Sequence, residues 1–384
     1  MLQVGVDVDE AVGAPAERYP ELDGLRGIAI ALVVGSHYVG APDPGATPLV
    51  RDWLEPILRA GWIGVELFFV LSGFLIGGII DDHRTAPNFL RVFYWRRVCR
   101  VLPAYLLALT ASVLLPLALG DFLRGTGLDV GSFPVWSYFL FVQNIVMAAN
   151  GAWSSWGVSW SLAVEEQFYL IIPALFLLFR ARVVPLLLVL GLAAPVARFL
   201  LPNPITAYVL PFSHADSLFA GVLLALLVRR NPLLAFRLGS SRALVAGFLA
   251  LFLTMATVQP SWKFEPMRSL GIFVLALTSG VLVLHARSGS PGVSGRILRC
   301  RPLGWLGGRS YFIYLTHTTV LIALHGLFLG QFPRNTRPEA LTVTLISLLI
   351  TLVAAEISWR LVEAPSIRFG RKQAYEPGRT ARGD

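Results

Sequence analysis

The chain has 384 residues, of which 55% are hydrophobic and only 14% charged, with a formal net charge of +9. Its mean hydropathy of +0.66 excludes an ordinary soluble domain, in which about a quarter of residues are charged. The basic excess forms no separate basic domain, because the arginines fall between apolar runs; they read as topology signals and anion ligands, with no nucleic acid as partner.

The first 21 residues are acidic and polar, with no basic n-region or cleavage pattern, so no removable signal peptide is expected. Several of the apolar runs that follow approach the roughly 20 residues a bilayer requires. They predict helices over 22–40, 60–80, 101–120, 158–180, 183–201, 213–228, 243–259, 267–286, 305–330 and 340–359. The expected fold is all-α and polytopic, with about ten transmembrane helices. The stretch 133–157 is apolar and aromatic but short and polar at both ends, and suits a re-entrant or interfacial segment. On that reading, 24 of the 32 basic residues lie on one side. An excess of this kind marks the cytoplasm and puts both termini there. Making 133–157 a full span would carry the clusters at 180–182, 229–242 and 287–309 to the other side. The organisation is a polar tail over 1–21, a membrane domain over 22–369 and a basic, disordered tail over 370–384. Cys99 and Cys300 fall in loops expected in the cytoplasm, where thiols stay reduced.

In the first apolar run, LDGLRGIAIALVVGSHY, Arg26 and His37 stand eleven residues apart. Eleven steps of about 100° fall within roughly 20° of three full turns, so both side chains share a face, about 16 Å apart along the axis. Arg26 alone serves equally as a snorkelling anchor, and His37 alone as a packing histidine. Together, an arginine at one rim suits phosphate and a deeper imidazole suits proton transfer. Downstream, Glu66 is expected to be buried near the outer end of its helix, and the small residues Ser72, Gly73, Gly77 and Gly78 permit close helix approach. In the loop NFLRVFYWRRVCRVLP, Arg97 and Arg100 at i, i+3 offer a fork for the phosphates of an anionic cosubstrate.

In WSLAVEEQFYL, Ser161, Glu165 and Tyr169 recur on one face, and the adjacent Glu165 and Glu166 inside an apolar span are costly to insert. Glu165 is expected at the depth of His37, where a carboxylate could orient the imidazole and raise its basicity. His214 and Asp216 start the sixth span, and Ser310, Tyr314 and His317 share a face of the ninth. Arg360 and Glu363 read as an ion pair at the end of the tenth. No residue spacing resembles a metal site, and there is no Walker loop, nucleophile elbow or dinucleotide fingerprint.

The motifs LDGLRGIAIALVVGSH, FFVLSGFLI, RRVCRVLPAY, WSLAVEEQFYL, SYFIYLTH and RLVEAP, in this order, resemble the integral-membrane acyltransferase family 3 over about residues 19 to 370. The resemblance implies transfer of an acyl group, commonly acetyl from acetyl-CoA, to a hydroxyl of a carbohydrate or antibiotic sugar. It matches the family's Arg-x10-His motif to Arg26 and His37, its Arg-x-x-Arg motif to Arg97 and Arg100, and its buried glutamate to Glu165. An arginine that often stands shortly before the aspartate of the sixth span is replaced here by His214. Some relatives carry a fused extracytoplasmic hydrolase-like domain, which is not expected in a chain of this length.

The expected protein is therefore a membrane O-acyltransferase of the bacterial cytoplasmic (inner) membrane, with His37 and Glu165 as catalytic residues. Arg26, Arg97 and Arg100 bind acyl-CoA as cosubstrate; Glu166, Asp216, Ser310, Tyr314 and His317 support them. Its expected partners are the lipid bilayer, a carbohydrate or glycolipid acceptor, and proteins of polysaccharide biosynthesis. The rival from another class is a transporter or flippase of lipid-linked sugars, against which the lack of internal repeats weighs.

Overall fold

A computed structural model of the chain describes residues 19–39, 58–119, 133–258, 262–289, 292–333 and 338–377. The tails at 1–18 and 378–384, with Arg18, Arg51, Arg124, Arg334 and Arg337 of the charge count, lie outside the described residues. All described secondary structure is helical. The long helices are α1 (Pro20–Val39), α2 (Ile63–His83), α3 (Phe89–Leu109), α4 (Ser159–Phe179) and α5 (Val183–Leu200). They continue with α6 (Ala215–Arg230), α7 (Arg242–Thr257), α8 (Ile272–Arg287), α9 (Arg301–Leu329) and α10 (Pro338–Ser358).

By length and composition, seven helical stretches are able to cross a membrane, or eight if the bent pair around Ser241 counts as one span. Among the seven, Ser159–Leu200 runs for 42 residues, about 63 Å of helix against a hydrocarbon core of about 30 Å. It cannot be one crossing. Trp160 at its start packs on His214, while Arg198 near its far end binds the carbonyl of Ser213. Both ends thus reach the same short segment, and the chain reverses at Arg180, whose φ is +39°. With α4 and α5 as two legs and α1 as a further rod, the expectation of about ten spans holds as an approximate count.

Close approach rather than apolar driving force holds such a bundle together, since lipid is as apolar as leucine. α1 and α9 run parallel along a glycine seam. A Cβ on Gly24, Gly27 or Gly307 would overlap the backbone carbonyls of Leu298, Leu303 and Asp23, respectively. α2 and α6, also parallel, meet where Gly73 and Gly221 let backbone touch backbone. Their ends are tied by Arg229, which donates to both carboxylate oxygens of Asp82 at 2.6 Å.

The segment 133–157 has two short helices, Trp136–Phe139 and Gln143–Asn150. Neither helix is long enough to cross a bilayer. The segment is pinned by Tyr105 donating to Tyr138 O at 2.8 Å, Gln143 to Ser159 O at 2.9 Å, and Trp156 to Leu315 O at 2.8 Å. These bonds satisfy irregular backbone by burying it in protein.

Two sequence expectations are corrected here. The third helix starts at Phe89 and not near 101, so Arg97, Arg100 and the buried Cys99 are helical rather than in a loop. Arg360 pairs with Glu356 at 2.6 Å instead of Glu363. A π-helical turn over Trp359–Glu363 adds a residue to the repeat and swings Glu363 inward, onto Ser358 Oγ at 3.2 Å. The chain is also ordered beyond 370: Arg96 donates to Gln373 O at 2.7 Å, and Tyr375 stacks on His83 with ring centroids 4.0 Å apart.

Candidate active site

Side chains of helices α1, α2, α3, α4 and α9 line a cavity of about 110 Å³. Arg26, Arg97 and Arg100 line it together with Glu165 and Tyr169. α1 supplies Arg26 from its second turn, and α3 supplies Arg97 and Arg100 from its third and fourth. The three guanidiniums converge on the face where α1 begins. Arg26 holds Asp23 at 3.4 Å. Arg97 and Arg100 have no ion pair among the described residues, and Arg97 stands 5.7 Å from the centre of the Tyr169 ring. Guanidiniums grouped at a cavity wall without an ion pair are chemically suited to an anion.

Spacing on α4 works as the sequence implied: Ser161, Glu165 and Tyr169 all line the cavity, and so do Ser310 and Tyr314 of α9. Ser161 Oγ and Tyr314 Oη lie 2.6 Å apart, and Ser72 Oγ lies 2.7 Å from Tyr169 Oη. Tyr169 Oη donates to Glu165 Oε1. Glu166 is not among the lining residues, and its Oε1 is buried and without a hydrogen-bond partner among the described residues.

His37 sits three turns along α1 from Arg26, exposed. The carboxylate expected beside it is not its partner. Glu165 is taken by Tyr169 and lines the cavity beside the three arginines. The ring beside His37 is His317 of α9, with centroids 4.9 Å apart and Nε2 3.2 Å from His37 Nδ1. His37 Nδ1 is also 2.9 Å from Val33 O. His317 is fully buried, and its Nδ1 lies 2.8 Å from Tyr314 O and 3.1 Å from Ile313 O. Tyr38 Oη donates to His317 O at 3.2 Å. The parallel seam explains the meeting: residues 27 and 307 touch, so ten residues on, both helices arrive at 37 and 317 together.

Asp216 is not in this cavity. Arg198 of α5 grips its carboxylate at 2.6 and 3.1 Å and also donates to Ser213 O and, at 2.9 Å, to Ser269 O. Beside it, Glu66 lies 3.1 Å from His214 Nδ1 and accepts from Ser217 Oγ at 2.6 Å. His214 Nε2 is 2.6 Å from Tyr208 O. Every member is buried. This is a brace between α2, α5 and α6, and it supplies the arginine for Asp216 that local sequence lacks. Sequence reasoning gave Arg198 no role; its place inside an apolar run, VARFLL, was the available signal.

A family model described as an acyltransferase domain matches residues 19–356. The peptidoglycan O-acetyltransferase OatA of Listeria monocytogenes is 27% identical over 370 residues, covering 91% of this chain and 56% of the relative. The putative peptidoglycan O-acetyltransferase YrhL of Bacillus subtilis is 29% identical, covering 90% and 54%. The O-acetyltransferase OatA of Staphylococcus aureus is 27% identical, covering 92% and 58%. The chain thus spans a little over half the length of these curated relatives. No solved structure matches it.

Proposed function

The chain belongs to the membrane acyltransferase family whose domain model covers residues 19–356, and from that premise we propose that it moves an acetyl group from acyl-CoA to a hydroxyl of a cell-surface carbohydrate. One observation carries the reading. A cavity lined by three arginines, two of them without an ion pair among the described residues, lies along the same helix as an exposed histidine. Arg26, Arg97 and Arg100 hold the phosphates of the donor, which charge-assisted guanidinium bonds suit. The pantetheine arm then follows α1 over the roughly 16 Å to His37, passing the hydroxyls of Ser72, Ser161 and Tyr314.

At His37 the acceptor hydroxyl gives its proton to the imidazole as its oxygen bonds the thioester carbonyl carbon. The carbon–sulfur bond breaks, and the departing thiolate takes that proton back from the imidazolium. The products are an O-acetyl ester and free CoA thiol, and atoms and charge balance. The arginine-rich face where α1 starts is cytoplasmic by the positive-inside rule, in a bacterial inner membrane, with both ends of the described chain on that side. The acceptor reaches His37 from the opposite face. The relatives' names favour a cell-wall glycan over an antibiotic sugar.

The test is reconstitution of the full chain in nanodiscs with acetyl-CoA and a soluble cell-wall oligosaccharide. Acetylated sugar by mass spectrometry and matching thiol release are expected, both lost in His37→Ala. Undiminished transfer by that variant would remove His37 from the mechanism.

A further inference from the structure

Resting on the acyl-transfer reading above, we propose that His317 is a positioning residue: it holds His37 in the one tautomer whose lone pair, on Nε2, points to the reacting groups. A carbonyl oxygen only accepts, and His317 Nδ1 faces two of them, Tyr314 O at 2.8 Å and Ile313 O at 3.1 Å. The hydrogen of His317 therefore sits on Nδ1. With the ring fully buried, an uncharged imidazole is the form this site tolerates, since an unpaired buried cation is costly. Its Nε2 is then a lone pair.

That lone pair is aimed at His37 Nδ1, 3.2 Å away, and Val33 O sits 2.9 Å from the same nitrogen. Two acceptors converge on His37 Nδ1, so it carries the hydrogen and shares it between them. The reverse assignment would set the lone pair of His37 Nδ1 against the lone pairs of Val33 O. What remains for His37 is an unprotonated Nε2, on a ring that is exposed. It has no partner among the described residues.

In hydrolytic triads a carboxylate accepts the Nδ1–H of the catalytic histidine and stabilises the imidazolium that forms. Here a neutral imidazole does so. The choice suits the surroundings: a carboxylate at this depth would be an unpaired anion whenever His37 is neutral, whereas His317 adds no charge to the resting site. When Nε2 takes the acceptor's proton, His37 Nδ1–H gains strength as a donor and both waiting acceptors respond. His317 is itself held, through Tyr38 Oη on its carbonyl at 3.2 Å and the Tyr38 ring stacked at 6.4 Å.

The experiment compares His317→Gln and His317→Leu with His37→Ala in the nanodisc transfer assay, using acetyl-CoA. Loss of the acceptor in H317L is expected to lower kcat by about 100-fold, the lower range for proton-transfer catalysis, with KM for acetyl-CoA unchanged. H317Q, whose side-chain oxygen also accepts from Nδ1–H, is expected to recover a large part of that loss. In wild-type protein with ¹⁵N-histidine, solid-state NMR is expected to show His37 protonated on Nδ1 and bare on Nε2; this reading does not depend on any variant folding. A bare Nδ1 on His37, or wild-type kcat in H317L while H37A is dead, overturns the proposal and leaves the acyl-transfer reading standing. Full activity in H37A overturns that reading instead.

Discussion

Arg97→Ala is the sharpest probe of the donor end. The guanidinium lines the cavity, stands over Tyr169 at 5.7 Å and has no carboxylate partner among the described residues. No carboxylate among the described residues forms an ion pair with it, so the cost of its removal to donor binding falls on whatever anion it holds. A hydrogen bond to a charged group contributes about 1.5–3 kcal/mol, and each 1.4 kcal/mol is tenfold. R97A should therefore raise KM for acetyl-CoA about 10- to 150-fold while kcat stays near wild type. Thiol release is measured in nanodiscs with two donors: acetyl-CoA, and S-acetyl-pantetheine, which keeps the thioester and arm but has no phosphate. For the truncated donor, kcat/KM of R97A should equal that of wild type. Equal losses with both donors would refute the reasoning, because they would make Arg97 a wall of the cavity rather than a phosphate ligand. Arg97→Lys keeps the charge without the planar fork and should fall between the two.

Three further outcomes concern the scaffold. Arg198→Ala leaves Asp216 buried and unpaired and should cost about 3–5 kcal/mol in detergent–SDS unfolding, most of it regained in an R198L/D216L double variant; a double variant as unstable as the single would count against the brace. Gly27→Ala forces a methyl group into the carbonyl of Leu303 and should destabilise by about 1–3 kcal/mol as overpacking does, read by the same unfolding curve; an unchanged midpoint would deny the seam. Arg360 is 73% exposed in its pair with Glu356, so Arg360→Ala should cost less than about 1 kcal/mol, and a larger loss would mean that the pair carries more of the fold than its exposure allows.

The long helices were legible because a bilayer demands an apolar run of known length, and Arg26, Arg97, Arg100, Ser161, Glu165 and Tyr169 were legible because helical periodicity aligns side chains within one rod. What periodicity cannot give is which rods are neighbours. Arg198 reaches Asp216 across α5 and α6, and His317 reaches His37 across α9 and α1; both meetings depend on how deep each helix sits and on which face a glycine allows contact. The mistaken partner for His37 has this cause. Glu165 and His37 were matched by depth alone, and the match ignored that a carboxylate with a tyrosine one turn away already has a donor. Likewise, the i, i+3 rule paired Arg360 with Glu363, and one π-helical turn undid it. Nothing local in WRLVE announces that extra residue.

The glycine seam between α1 and α9 has a mechanical meaning. Where backbone lies on backbone there is no side chain to rotate out of the way, so neither helix can slide or roll against the other without a collision. Arg26, His37 and His317 then ride on one stiff wall, which fixes the spacing between the guanidinium and the two imidazoles. The opposite wall is built differently: Arg97 and Arg100 of α3 and Glu165 and Tyr169 of α4 reach the cavity through long, hinged side chains. On the proposed function, loading a donor and releasing CoA draw on movement in α3 and α4, while α1 and α9 stand as the fixed jaw. Spin labels across α1–α9 should report one distance with and without acetyl-CoA, and labels across α1–α4 should not.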